Sequence, residues 1–230
     1  MKLSNGLLGV TFAALSVATA AGAGTIYSNP YVFGSGGNCI FSTTCAATVG
    51  AGDVFAAQEF TLTSAAVITA ASFTELDAGV TPTAVNWGFL LADGTGGLPG
   101  TILSAGADSF TSATILGTDI GYNVTQMNFG VGPQALGPGT YYFAIQAVSP
   151  TFYTFLGGGA ATSGAATTTD GGATWAAGYP GGGGYSSVAV ALYGTGGTVP
   201  EPASWALMLV GLGGLGVALR GRARKVLTTV

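Results

Sequence analysis

Carboxylates are the only acid–base groups available to the middle of this chain. Its 230 residues contain no histidine, and the five basic residues are Lys2, Arg220, Arg222, Arg224 and Lys225. The commonest general base and the commonest transition-metal ligand are therefore missing. With no lysine in the body, Schiff-base chemistry and a Ser–Lys dyad are excluded as well. Eight of the nine acids lie in the body: Asp53, Glu59, Glu75, Asp77, Asp93, Asp108, Asp119 and Asp170, with Glu201 the ninth in the tail motif. Paired carboxylates can hydrolyse glycosides, and Glu59, Glu75 and Asp77 are close in sequence. In FTELDAG, however, Glu75 and Asp77 read as the solvated end of a strand running into a turn. The expectation is a protein that is not an enzyme, with a carboxylate-based glycoside hydrolase as a distant third reading.

Binding chemistry is more open. Hard cations take oxygen ligands, and Asp53, Asp77, Asp93 and Asp119 stand beside glycines at turns. No Asp-x-Asp-x-Asp-Gly loop is present, so these read as turn-forming aspartates, and calcium is the one cofactor left open. No other metal is expected. Sugars offer apolar faces that stack on aromatic rings. Trp175, Tyr179 and Tyr153, with Phe152, sit in stretches that read as loops and are the candidate ligand-binding residues. A body without cations cannot neutralise phosphates, which excludes nucleic acid as a partner. Asn123-Val124-Thr125 fits a glycosylation sequon, but it lies inside a strand pattern and reads as coincidence.

The elements that must hold these residues are strands. Val85, Trp87, Phe89 and Leu91 alternate with Asn86, Gly88 and Ala92. Tyr141, Phe143, Ile145 and Ala147 alternate with Tyr142, Ala144, Gln146 and Val148. The same period of two runs through Met127–Val131 and Val188–Tyr193. Glycine makes up 41 of 230 residues, far above the usual ~7%. With the Asp-Gly and Gly-Pro pairs it supplies the turns. About eight to ten strands at this spacing predict an all-β fold, a two-sheet antiparallel sandwich resembling a jelly roll. Residues 157–184 are low in complexity and predict a long loop or two weak strands.

The two ends are of another kind. MKLSNGLLGVTFAALSVATAAGAG has a short basic start, an apolar stretch and small-x-small sites, the layout of a secretory signal peptide. Export would place Cys39 and Cys45 in an oxidising compartment, and their close spacing predicts a disulfide. Near the other end, Ala203–Leu219 is an uncharged apolar run of 17 residues. At ~1.5 Å per residue it reaches about 25 Å, at the short end of a membrane span. Arg220, Arg222, Arg224 and Lys225 follow at once and form a stop-transfer cluster, which keeps this tail cytoplasmic and the body outside.

Pro200-Glu201-Pro202, the apolar run and the basic cluster, in that order, resemble the PEP-CTERM sorting signal of Gram-negative bacteria. Trp205-Ala206, spaced as in PEPASWA, is similar to its PEPxxWA variant. The resemblance implies recognition by an exosortase, a membrane protease-transpeptidase. It also implies an inner-membrane precursor, later placed at the cell surface or secreted, and a link to exopolysaccharide. WGFLLADGTGGLPGTIL, YNVTQMNF and LGPGTYYFAIQ resemble strands of sandwich domains carried with such tails; that likeness predicts fold and not activity.

The expected order is a signal peptide (1–23), a segment with the disulfide (24–52), the β-sandwich (53–194), linker and sorting motif (195–202), a transmembrane helix (203–219) and a basic cytoplasmic tail (220–230). Two readings stand together. One is a non-catalytic structural or adhesive protein of the cell surface, extracellular matrix or biofilm. The alternative is a carbohydrate-binding module acting through loop aromatics.

Overall fold

The alternation seen in the sequence becomes two faces on each strand. The structure, a computed structural model, describes residues 23–34, 37–38, 54–77, 79, 81–148, 154–178 and 186–196. In chain order the strands are β1 (Gly24–Asn29), β2 (Gly37–Asn38), β3 (Phe55–Leu62), β4 (Ala66–Asp77), β5 (Ala84–Leu91), β6 (Ile102–Asp108), β7 (Phe110–Asp119), β8 (Tyr122–Leu136), β9 (Gly139–Val148), β10 (Thr154–Gly157), β11 (Ala165–Thr168), β12 (Ala176–Ala177) and β13 (Val190–Gly196). A single 3₁₀ turn, Thr95–Gly97, is the only helical element among the described residues.

The strands form two antiparallel sheets. In the first, the long β4 is central: β8 and then β7 lie on one side of it. On its other side β13 follows Ala66–Phe73 and β10 follows Glu75–Asp77, with β1 beyond β13 and β2 beyond β10. The second sheet runs β12-β11-β3-β9-β5-β6. The expected all-β sandwich is thus present. The first sheet also takes in Gly24–Asn29, a segment the sequence had set ahead of the sandwich. Its alternation is masked by small and polar residues, because β1 is an outer strand with only partial burial.

The core lies between the sheets. Val85, Trp87 and Phe89, then Tyr141, Phe143, Ile145 and Ala147, and then Met127, Phe129, Val131, Val188, Val190 and Leu192 all point into it, as the period of two requires. Aromatic rings join the layers: Phe129 of β8 stacks on Phe143 of β9 at 6.3 Å, and Tyr27 of β1 meets Phe60 of β3 at 5.8 Å. Each such ring buries on the order of 150–250 Å², which makes this interior the main source of stability. Trp87 adds a specific anchor, its Nε1 donating to Asp108 Oδ2 at 2.8 Å. Its ring lies over Gly106, where a Cβ would stand 2.7 Å from Cζ2, so no larger residue fits there without moving the indole.

The low-complexity stretch is more ordered than a long loop. It contains β11 and β12, and β11 pairs with β3 along Ala165–Thr168. Side chains from the same stretch organise it. Thr168 Oγ1 donates to Asp170 Oδ1 (2.6 Å), while Asp170 accepts from Thr174 N (2.9 Å) and Thr174 Oγ1 (2.6 Å).

Candidate functional site

Of the three carboxylates that neighbour one another in sequence, Glu75 and Asp77 share one face of β4, and Glu59 stands apart on the other sheet. Glu59 is on β3 of the second sheet, where it accepts from Tyr142 Oη at 3.1 Å. Burial, with the Glu59 charge beside it, pushes the Tyr142 hydroxyl up to about 12. Glu75 and Asp77 are on β4 of the first sheet and are not solvated, which corrects the sequence expectation. Glu75 is 0% exposed and Asp77 2%. The strand does end at Asp77, as expected, but β8 and β10 flank it through Asp77 and keep both side chains covered. Both residues continue the inward face begun by Phe73.

Their chemistry follows from that placement. Asp77 accepts from Gly79 N (2.6 Å), Thr125 Oγ1 (3.0 Å) and Asn123 Nδ2 (3.5 Å). The sequon residues Asn123 and Thr125 are therefore partners of a buried carboxylate. Among the described residues neither oxygen of Glu75 has a hydrogen-bond partner. Burial, with the Asp77 charge next, raises the Glu75 carboxyl to about 9, so it holds its proton at neutral pH.

The turn aspartates are occupied by their own loops. Asp93 accepts from Thr101 N and Thr101 Oγ1, both at 2.7 Å, and these bonds lower its pKa. Asp119 accepts from Tyr31 Oη (2.5 Å) and Gly34 N (2.6 Å) across the outside of the first sheet. Thr168 and Thr174 hold Asp170 well below the usual carboxylate range. Among the described residues no three of His, Cys, Asp and Glu gather as a metal site. Asp53 lies outside the described residues.

The arrangement best suited to a ligand is a groove of about 520 Å³ on the outward face of the second sheet. Its floor is made of small residues on three neighbouring strands: Gly88 of β5, Ala105 and Ala107 of β6, and Ala144 of β9. Trp175 and Phe55 wall one side. The Asp170–Thr174 loop sets Trp175 in place, and Gly172, at φ +95, sits against the ring in a conformation that side chains rarely adopt. Trp175 Nε1 is buried without a partner among the described residues, and the indole packs beside Leu90 and Ala144 at the groove. Asn86 Nδ2 donates to Gln146 Oε1 at 2.7 Å. That leaves Asn86 Oδ1, in the groove lining, without a protein partner among the described residues. No charged side chain lines the groove.

Of the sequence candidates for ligand binding, Trp175 is thus placed at a concave site. Tyr153 and Tyr179 lie outside the described residues. The small-residue floor and Asn86 were missed, since glycines and alanines on an outward face carry no signal beyond turn and filler.

Cys39, Cys45, the expected signal peptide, and Pro200, Glu201, Pro202, Trp205, Ala206 and the basic cluster also lie outside the described residues. No helix among those described is long and apolar enough to cross a membrane. Here comparison with known families decides, because a family model, the PEP-CTERM protein-sorting motif, matches residues 198–225. The chain carries a PEP-CTERM sorting motif. The match takes in Pro200-Glu201-Pro202, the apolar run and all four basic residues of the tail. The PEP-CTERM motif marks an exported protein sorted by an exosortase. No curated protein and no solved structure matches the chain, so this PEP-CTERM body stands on its own geometry.

Proposed function

We propose that this is a non-catalytic protein displayed outside a Gram-negative cell, whose sandwich associates with exopolysaccharide through the Trp175 groove. The groove is the observation that carries the reading. An indole face over a floor of glycine and alanine fits the apolar face of a sugar ring, and Asn86 Oδ1 can accept from a hydroxyl. Charge narrows the class. The body has eight acids and no base between Lys2 and Arg220, so an acidic polymer is repelled and a neutral glycan is not.

Retention of purified full-length protein on a neutral glucan and on a uronic-acid polymer tests this. The glucan should retain it, and Trp175→Ala should weaken retention by about tenfold or more, a loss of ~1.4 kcal/mol. Retention by neither polymer, or equal retention of the variant, overturns the reading.

The same proposal covers delivery. The precursor spans the inner membrane through 203–219 with Arg220, Arg222, Arg224 and Lys225 inside. Pro200 and Pro202 lack N–H donors and keep the motif extended for cleavage. Glu201→Ala should leave the precursor anchored but uncut. Trimming of that variant to the wild-type mass in an exosortase-positive host would refute it.

A further inference from the structure

The outer edge of the first sheet is open. β7 pairs with β8 on one side only, and along Thr111–Leu116 its other side has no backbone partner among the described residues. Natural edges are usually blunted by lysine, proline, charge or bulges. From Ser109 to Thr118 this edge has no lysine, proline or charge. Register shifts fall at Phe110/Ser112 and Ile115/Gly117, leaving Ser112–Ile115 as a regular stretch between them. Ile115 is 66% exposed and Leu116 46%. The edge of the second sheet lies on the same side, since only Ser109 separates β6 from β7, and β6 presents Ile102 at 60% exposure.

We propose that two copies of this chain pair antiparallel through β7, joining their first sheets edge to edge. An unpaired ladder fits only another extended strand, and charge selects which one. The body carries acids and no bases, so two copies meet most readily where an unpaired edge carries no charge. The stretch between Asp108 and Asp119 is such an edge. A two-fold axis through Ile115 pairs it with its own counterpart and sets Asp119 of each copy against Thr111 of the other, so no acid faces an acid. It also brings the two apolar strips, β6 and β7, against their own counterparts, as an isologous contact requires.

The size of the contact sets its strength. An open edge of six residues, about 20 Å long, on a sandwich with sheets ~10 Å apart buries on the order of 200 Å² per copy. That is below the ~800 Å² per partner of a standard stable interface. The pairing is therefore weak in dilute solution and forms where copies are crowded at a surface.

Sedimentation of the full-length protein in detergent, over a wide range of concentration, is the test. The protein mass should rise from one copy to two as concentration increases. Ile115→Lys should weaken association by about tenfold or more, and Thr114→Lys should do the same if the first variant folds poorly by circular dichroism. Thr61→Lys adds the same charge on β3, away from the edge, and should leave association intact. A single-copy mass throughout overturns the proposal. So does a dimer that survives both β7 variants, which would place the contact elsewhere, or one that Thr61→Lys abolishes equally.

Discussion

The two outward faces of the sandwich are built from similar strands but treat their polar groups in opposite ways. On the first sheet, Gln126 Nε2 donates to Ser72 Oγ (3.1 Å), Asn128 Oδ1 (3.3 Å) and Tyr193 Oη (3.3 Å), and Ser72 and Tyr193 share a further bond of 3.3 Å. These groups satisfy one another. The second face has a small-residue floor, an aromatic wall and one amide oxygen without a partner. A surface that has satisfied itself gains little from a ligand, whereas the second face has both apolar area and an acceptor to offer. The fold is shared; the difference lies in which side chains stand on it.

The largest effect should come from removing what backs both faces. Phe143 is fully buried, 4.9 Å from Phe89 and 6.3 Å from Phe129. Phe143→Ala should cost about 3–5 kcal/mol, read by denaturant unfolding. If only one sheet loosened, the two faces would not share a core and the comparison would fail.

Next comes the interior behind the first face. Glu75 has a folded-state pKa raised to about 9 against an ordinary value of 4.5. The folded protein thus keeps a proton that the unfolded chain releases, and stability falls as pH rises from about 4.5 toward 9. The slope should approach ~1.4 kcal/mol per pH unit. Glu75→Gln should remove this slope, leaving the variant more stable than wild type at pH 7 and the gap closing near pH 4. Identical pH profiles for the two proteins would show that Glu75 is not held protonated.

A third change acts on the second face alone. Ala105 is exposed on the groove floor, so Ala105→Glu should alter stability by no more than about 0.5 kcal/mol. It should nevertheless reduce retention on a neutral glucan by about tenfold, through bulk and charge in a neutral groove. Undiminished retention would move the ligand off this face. The smallest effect is expected on the first face. Tyr193→Phe removes one hydroxyl from the Gln126–Ser72 group and should cost ~1 kcal/mol with no change in glucan retention.

The interior was legible in the sequence because it obeys a period of two. Val85-Trp87-Phe89 and Tyr141-Phe143-Ile145 announce both strand and facing. Glu75 and Asp77 obey the same period but are polar, and chemical type suggested solvent where spacing indicated core. Only the neighbouring strands, β8 and β10, decide between the two, and their reach is not written locally. Residues 157–184 were legible only as a choice between a long loop and two weak strands, and the described part takes the second form. Their glycines suggest loop, while Thr168, Asp170 and Thr174 supply the bonds that order it. Trp175 could be picked out as an aromatic in a plain stretch, but its groove comes from alanines and glycines far away in the chain. The sorting motif was fully legible, since recognition there is of a short contiguous segment.

The position of β13 has a mechanical consequence. The chain leaves the described sandwich at Gly196, and in sequence the next segments are the linker and the apolar run. β13 is not an outer strand: from Val190 to Gly194 it is clamped between β1 and β4. Tension from a tether at the C-terminal end therefore enters a strand bonded on both long edges. Pulled along its axis, such a strand loads its cross-strand bonds together in shear, and they resist as a group, whereas peeling would break them one at a time. While the tail is anchored, drag on the body is borne by this clamp, and the second sheet with its groove stays out of the line of force.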